Sequence, residues 1–183
     1  MLQQTEYAST RPQQQTGIAP ENWYAVNTRP RYEKKVADAL RAKGITVLLP
    51  LFAERHRWSD RRRIVQLPLF TGYAFVRLDA ALETRIPVLR TQGVLGFVGV
   101  RGVGVAIPEQ EIEAVQTLME QGVLMTPHMF LQVGKRVRIR GGSLDGLRGI
   151  LLAKNGDLSL VISVESIQRS VEIRVAGYDV VPD

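Results

Sequence analysis

The sequence predicts an α+β protein built as two units, an N-terminal α/β sandwich followed by a small β-barrel. Three observations carry that reading. Up to residue 120, short apolar strands alternate with two segments of clear helical period. Residues 121–131 lose that pattern, with Gly122 and Pro127 as punctuation. Beyond them apolar residues recur at every second position between glycine turns, the signature of short antiparallel strands. The expected boundaries are a disordered tail at 1–20, an α/β domain at 21–120, a linker at 121–131 and a barrel at 132–183.

The elements follow in order. Residues 1–20 are rich in Gln, Thr, Ser and Pro and lack apolar periodicity. Trp23 to Val26 forms a strand. Pro30 suits the first turn of a helix that carries Tyr32, Val36, Ala39 and Leu40 and stops at Gly44. Ile45 to Leu49 is a second strand, and 54–67 a hairpin with its tip at Trp58–Arg63. Gly72 to Leu78 is a strong strand. Leu82 to Leu89 is expected as a short helix interrupted near Pro87, then Val94 to Val98 as a strand. Ile112, Val115, Leu118 and Met119 mark a second amphipathic helix after Pro108. In the last fifty or so residues the alternation predicts five short strands. Closing them into a barrel removes exposed edges.

Composition narrows the chemistry. The 183 residues contain no Cys and only two His, at 56 and 128. Disulfides, thiolate nucleophiles and Cys-ligated metals are excluded, and no His-based site or cofactor is expected. The longest apolar run, Ile45 to Phe52, is far short of a membrane span. With no apolar signal core at its start, the chain is expected to act in the cytoplasm, as a monomer without a membrane role. The net charge is +6. It is concentrated: residues 29–63 hold eleven basic and four acidic side chains, whereas residues 121–183 hold eight and six. Arg29, Arg31, Lys34, Lys35, Arg41 and Lys43 belong to the first helix, and Arg61, Arg62 and Arg63 to the hairpin tip. Such a patch either keeps a solvated face soluble or pairs with phosphates.

The remaining motifs offer little catalysis. The glycines of Gly99–Gly104 are followed by an extended stretch rather than by a helix, so a phosphate loop is disfavoured. Gly141–Gly149 lies between two strands and supplies turns and bulges. Glu109, Glu111 and Glu113 open a helix, where the dipole favours carboxylates. No nucleophile, base and metal set is present, and the chain is not expected to be an enzyme. One stretch resists a bland reading. Leu67–Tyr73 places bulky apolar groups in a loop, with Pro68 and Gly72 keeping it out of a ladder. Such a loop is either packed under something or is a docking surface.

These residues resemble the NusG family of transcription elongation factors, and within it the specialised antiterminators of the RfaH and UpxY type. The similar blocks are Trp23–Val36, Leu67–Val76, Thr91–Gly99 and Val133–Ile139 with Gly146, Leu147 and Gly149. They fall in the family's order across residues 22–183. The resemblance implies an NGN domain followed by a KOW domain of SH3-like barrel type. It also implies a factor that promotes processive elongation and antitermination by binding RNA polymerase, in an operon-specific role. Leu69, Phe70, Tyr73 and Val115 match positions that dock the clamp helices of the largest subunit. Thr84 and Arg85 match the region that reaches the opposite lobe. Arg29, Arg31, Lys34 and Lys35 carry over a contact to the non-template DNA strand, with Arg61, Arg62 and Arg63 beside upstream DNA. Leu144 and Leu147, expected as exposed apolar groups, would meet a small-subunit ribosomal protein or the termination factor Rho. Two departures stand out: Thr71 replaces the family's Pro, and Gly142-Ser143-Leu144 replaces Gly-Pro-Phe. The competing reading is a KOW-type RNA-binding or ribosome-associated protein, which a charge of only +2 on the C-terminal part disfavours.

Overall fold

The computed structural model describes residues 20–58, 61–79, 81–130, 134–154 and 157–183; residues 55–58, 61–63, 82, 129, 154 and 157 are described by backbone alone. Apart from Pro20, the expected tail lies outside the described residues.

The N-terminal unit contains β1 (Asn22–Thr28), α1 (Glu33–Arg41), β2 (Thr46–Leu48), β3 (Leu51–Trp58), β4 (Arg61–Pro68), β5 (Tyr73–Leu78), α2 (Leu82–Leu89), β6 (Val94–Phe97), β7 (Ala106–Ile107) and α3 (Glu109–Glu120). Its main sheet runs β2-β5-β1-β6, with β7 also pairing with β1. Strand β1 is central and buried on both faces, which explains its apolar run. Because side chains alternate across a strand, its residues divide between two cores. Trp23 and Ala25 join Phe75 and the α3 residues Ile112, Val115 and Leu118. Tyr24 and Val26 join Val36 and Leu40 of α1, Val76, Leu78 and Val88 of α2. Helices α1 and α2 therefore cover one face of the sheet, and α3 covers the other.

The hairpin is longer than the sequence suggested. Strands β3 and β4 pair from Leu51–Pro68 to Trp58–Arg61 as a separate two-stranded ladder. Helix α2 runs unbroken through Pro87, against the expected interruption. Its two turns lose only one backbone bond to the proline. At the C-terminal end of the helix the Lys43 ammonium donates to the Pro87 carbonyl at 2.9 Å and to Thr91 Oγ1 at 2.7 Å.

The C-terminal sheet contains β8 (Met125–Met129), β9 (Lys135–Arg140), β10 (Arg148–Lys154), β11 (Asp157–Val164), β12 (Arg169–Arg174) and β13 (Asp179–Pro182), all antiparallel along the path β13-β9-β10-β11-β12-β8. Six strands replace the expected five, because β8 forms inside the stretch expected as a linker. Pro127 suggested a break, yet it sits opposite Val171 on the terminal strand of the path, where a missing N–H is tolerated. Val137, Ile139, Leu160, Ile162, Val164, Val171 and Ile173 are buried together.

Gly149 of β10 leaves no room for a side chain: a Cβ there would lie 2.5 Å from the Val161 carbonyl oxygen and 2.9 Å from Leu160 Cγ. Gly149→Ala should therefore lower the urea midpoint of the C-terminal domain, by about 1–3 kcal/mol of stability. An unchanged midpoint would show that the β10–β11 packing yields freely.

Candidate functional site

The apolar loop before β5 is fixed from both sides. Gly72 has φ +84°, a conformation that costs glycine nothing. Its N–H donates to Glu33 Oε1 at 2.8 Å, and its carbonyl accepts the Thr28 N–H at 2.8 Å. Glu33 is only 3% exposed. A carboxylate buried at the start of α1 is sustained there by the helix N-terminus and by this hydrogen bond. It ties the basic helix to the loop, and no sequence motif announces it. Leu69 and Phe70 are each 2% exposed, and Phe70 meets Phe75 edge to face at 5.6 Å. Tyr73 remains half-buried at the start of β5.

Beside this loop lies α3, and the C-terminal domain packs against it. One continuous cluster joins Leu69, Phe70 and Val115 to Leu144, Leu147, Ile162 and Val164. The Arg169 guanidinium of β12 stands 5.9 Å from the Tyr73 ring. The Glu165 N–H donates to Glu111 Oε2 of α3 at 3.0 Å. A cavity of about 500 Å³ opens at the seam between Glu111, Glu113 and Thr117 on one side and Arg138, Arg148 and Ser163 on the other. Of the residues expected on the docking face, Leu69, Phe70 and Val115 are thus buried and Tyr73 is half-covered. Leu144 and Leu147, expected to be exposed, are 0% and 7% exposed. Their turn folds them inward, with the Leu147 N–H bonded to the Leu144 carbonyl. A period-two pattern cannot say which residues of a turn point into the core.

The three glutamates near the start of α3, Glu109 and Glu111 in its first turn and Glu113 just beyond, have different tasks. Glu109 Oε1 accepts Trp23 Nε1–H at 3.3 Å and pairs with Arg77 at 3.5 Å. Glu111 makes the hydrogen bond across the seam. Its carboxyl is raised above the usual range, chiefly by burial; the Glu165 N–H opposes the rise and the Glu165 carboxylate adds to it. Glu113 is exposed.

The first-helix cations share one surface with the hairpin. Arg29, Arg31, Lys34 and Lys35 are all exposed. The Lys34 ammonium donates to the Gln66 carbonyl of β4 at 2.7 Å, which brings α1 and the hairpin stem together. Arg31 adopts φ +65° without being glycine. Lys35 stacks over Tyr32 at 5.2 Å. The backbone places Arg61, Arg62 and Arg63 opposite Trp58, Arg57 and His56, so the ladder concentrates cations near its tip. Thr84 and Arg85 have internal partners. The Thr84 hydroxyl lies 2.6 Å from Asp79 Oδ1 and 2.7 Å from the Ala81 carbonyl. Arg85 lies over the Tyr24 and Phe97 rings at 4.9 and 5.5 Å.

Among the described residues no cluster of three or more acidic or His side chains is placed to hold a metal, and no helix is long and apolar enough to cross a membrane. An apolar loop, a cationic helix with its hairpin and an antiparallel β-domain define a two-domain binding protein. A family model described as the transcription termination factor NusG matches residues 21–116. The chain belongs to the NusG family of transcription termination and antitermination factors. Similar proteins include the NusG of Borreliella burgdorferi, 26% identical over 84% of this chain and 94% of that protein. The NusG of Lactococcus lactis is 28% identical over 85% of this chain and 89% of its own length. A solved structure titled "Domain interaction in Thermotoga maritima NusG" shares the fold, with a TM-score of 0.54 and 20% identity over 87% of this chain and 96% of that one.

Glu33→Ala leaves the Gly72 N–H without its acceptor and should cost about 1.5–3 kcal/mol in chemical unfolding; no loss would mean that the clasp is dispensable. Glu111 predicts a pH dependence. Its carboxyl is raised where α3 meets the β-domain, so its contribution to the packing is full below the ordinary carboxylate range and is lost as pH rises through the raised value. Resonance energy transfer between labels on the two domains should report tighter packing at about pH 4 than at about pH 7. Glu111→Gln, which keeps a carbonyl acceptor, should flatten that response.

Proposed function

We propose that this chain is an operon-specific NusG paralogue of the RfaH and UpxY type. It docks on the clamp helices of the RNA polymerase largest subunit and promotes processive elongation and antitermination. The observation that supports this reading is the apolar loop Leu69–Tyr73, clasped by Glu33 and continuous with Val115 of α3. A fixed apolar edge can bury itself on a partner with little loss of conformational freedom. Docking requires that edge to be uncovered, so the β-domain and the clamp helices compete for α3. Contact with the opposite polymerase lobe falls on the start of α2, around Thr84 and Arg85. The non-template strand is assigned to Arg29, Arg31, Lys34 and Lys35, with Arg61, Arg62 and Arg63 of the hairpin beside upstream DNA. Lys34 joins α1 to the hairpin stem and the backbone carries Arg61, Arg62 and Arg63 near the hairpin tip, and cations gathered in this way suit a phosphate backbone. Once released, the β-domain is available to a small-subunit ribosomal protein or to Rho.

The test is retention of the full chain by isolated clamp helices. Tyr73 is more informative than Phe70, because the Phe70 ring is packed on Phe75 and its loss disturbs the core. Tyr73→Ser should weaken retention by at least about tenfold. Glu111→Lys sets a cation against Arg138 and Arg148 at the seam and should strengthen retention by loosening the β-domain. Absence of binding in both the native chain and Glu111→Lys would overturn clamp docking.

A further inference from the structure

The N-terminal unit leaves an apolar surface that neither of its cores uses. Among the described residues nine large apolar side chains are exposed, and six of them fall between residues 86 and 105. Ile86 and Leu89 lie on α2, Leu95 on β6, and Val100, Val103 and Val105 in the loop before β7. The helix and the loop meet over the same two rings. Arg85 of α2 lies 4.9 Å from the Tyr24 ring and 5.5 Å from the Phe97 ring. A Cβ on Gly104 would lie 3.0 Å from Tyr24 Cδ1 and 3.2 Å from Phe97 Cβ. Hydrogen bonds hold the loop in place: the Val103 N–H donates to the Val100 carbonyl and the Val105 N–H to the Val98 carbonyl, both at 3.0 Å. Tyr24 and Phe97 belong to the core that α1 and α2 cover. The patch therefore lies on the α2 side of the sheet, away from α3 and from the β-domain that rests on it. Apolar side chains gathered on an outer surface in this way mark a contact site.

The charges on α2 identify the occupant. Glu83, Ile86, Pro87 and Arg90 follow the i, i+3, i+4, i+7 spacing of one helix face, and all four are exposed. Glu83 and Arg90 have no ion-pair partner among the described residues. An acid in the first turn and a base just past the last one make this face complementary to itself when it is turned end for end. We propose that it is a homodimer interface. A second copy packs its α2 antiparallel on this one, about a two-fold axis between Ile86 and Pro87. Glu83 of each copy then meets Arg90 of the other, Ile86 and Leu89 form the seam, and Val100, Val103 and Val105 widen it. Such a contact is isologous and closes on itself. The patch is smaller than the about 800 Å² that each partner contributes to a standard interface, so the association is micromolar. The same helix carries Thr84 and Arg85. On the reading given above, a copy seated on α2 and contact with the opposite polymerase lobe exclude each other, whereas α3 stays free of the dimer.

The experiment is sedimentation equilibrium of the full chain from about 1 to about 200 μM, across which the native chain should pass from monomer to dimer. Glu83→Arg sets arginines against Arg90 at both ends of the seam, and Arg90→Glu sets glutamates against Glu83. Each variant alone should lose at least about tenfold in self-association, with thermal unfolding unchanged. Mixed in equal amounts, the two variants restore opposite charges at both ends, and the mixture should again form dimers, one copy of each. Leu89→Ser with Val103→Ser should weaken self-association by at least about tenfold. A native chain that stays monomeric at about 200 μM overturns the proposal and leaves the patch to a different partner. Native self-association in either charge variant or in the Leu89, Val103 double variant also overturns it, as does a mixture no more dimeric than its components. Clamp-helix retention of Glu83→Arg should equal that of the native chain, because α3 lies on the other face of the sheet. A failure of clamp docking therefore leaves the dimer result standing, and the reverse.

Discussion

Everything else in this structure depends on α3 being buried from two sides. Ile112, Val115 and Leu118 fall on one stripe of a twelve-residue helix and are almost wholly inaccessible. The stripe belongs to the core beneath β1, and that core continues without a break into the C-terminal domain. The seam is therefore an extension of a core rather than a surface contact, and the hydrophobic effect favours its closure. Its polar rim includes a hydrogen bond to a half-buried carboxylate and an arginine over a tyrosine ring. Such a boundary is closed by apolar area and adjusted by charge. A partner that offers α3 a comparable apolar surface can compete for it.

A second constraint works inside the first domain. Glu33 begins α1, whose outer face carries cations, and its carboxylate reaches the Gly72 amide in the apolar loop. One buried group thus fixes the position of the basic surface relative to the apolar one. Lys34 and Lys43 extend the same economy: each is a cation of the α1 region that also satisfies a backbone carbonyl elsewhere, Lys34 on β4 and Lys43 at the end of α2.

Much of the fold was legible because periodicity reports burial. The two-sided burial of β1, the stripe of α3 and the alternation in β9 to β12 all arise from side-chain direction along a regular backbone. The departures share a cause. Pro87 and Pro127 are break signals in sequence, yet each removes a single hydrogen bond that its position makes inexpensive, inside a two-turn helix and on a terminal strand. Leu144 and Leu147 face inward against expectation because a turn has no period, so its facing is set only by what it packs against. For Leu67–Tyr73 the sequence left a packed loop and a docking surface open; Leu69 and Phe70 are packed, while Tyr73 stays at the edge beneath Arg169.

By itself the sequence determined the two units, the NusG family blocks, the absence of cysteine chemistry and the concentration of charge in residues 29–63. These are properties of composition and local order. Only the tertiary structure decided that the β-domain rests on α3 and that Glu33 clasps Gly72. Each of these joins residues far apart in the chain, and long-range contacts follow from how surfaces fit rather than from any local propensity.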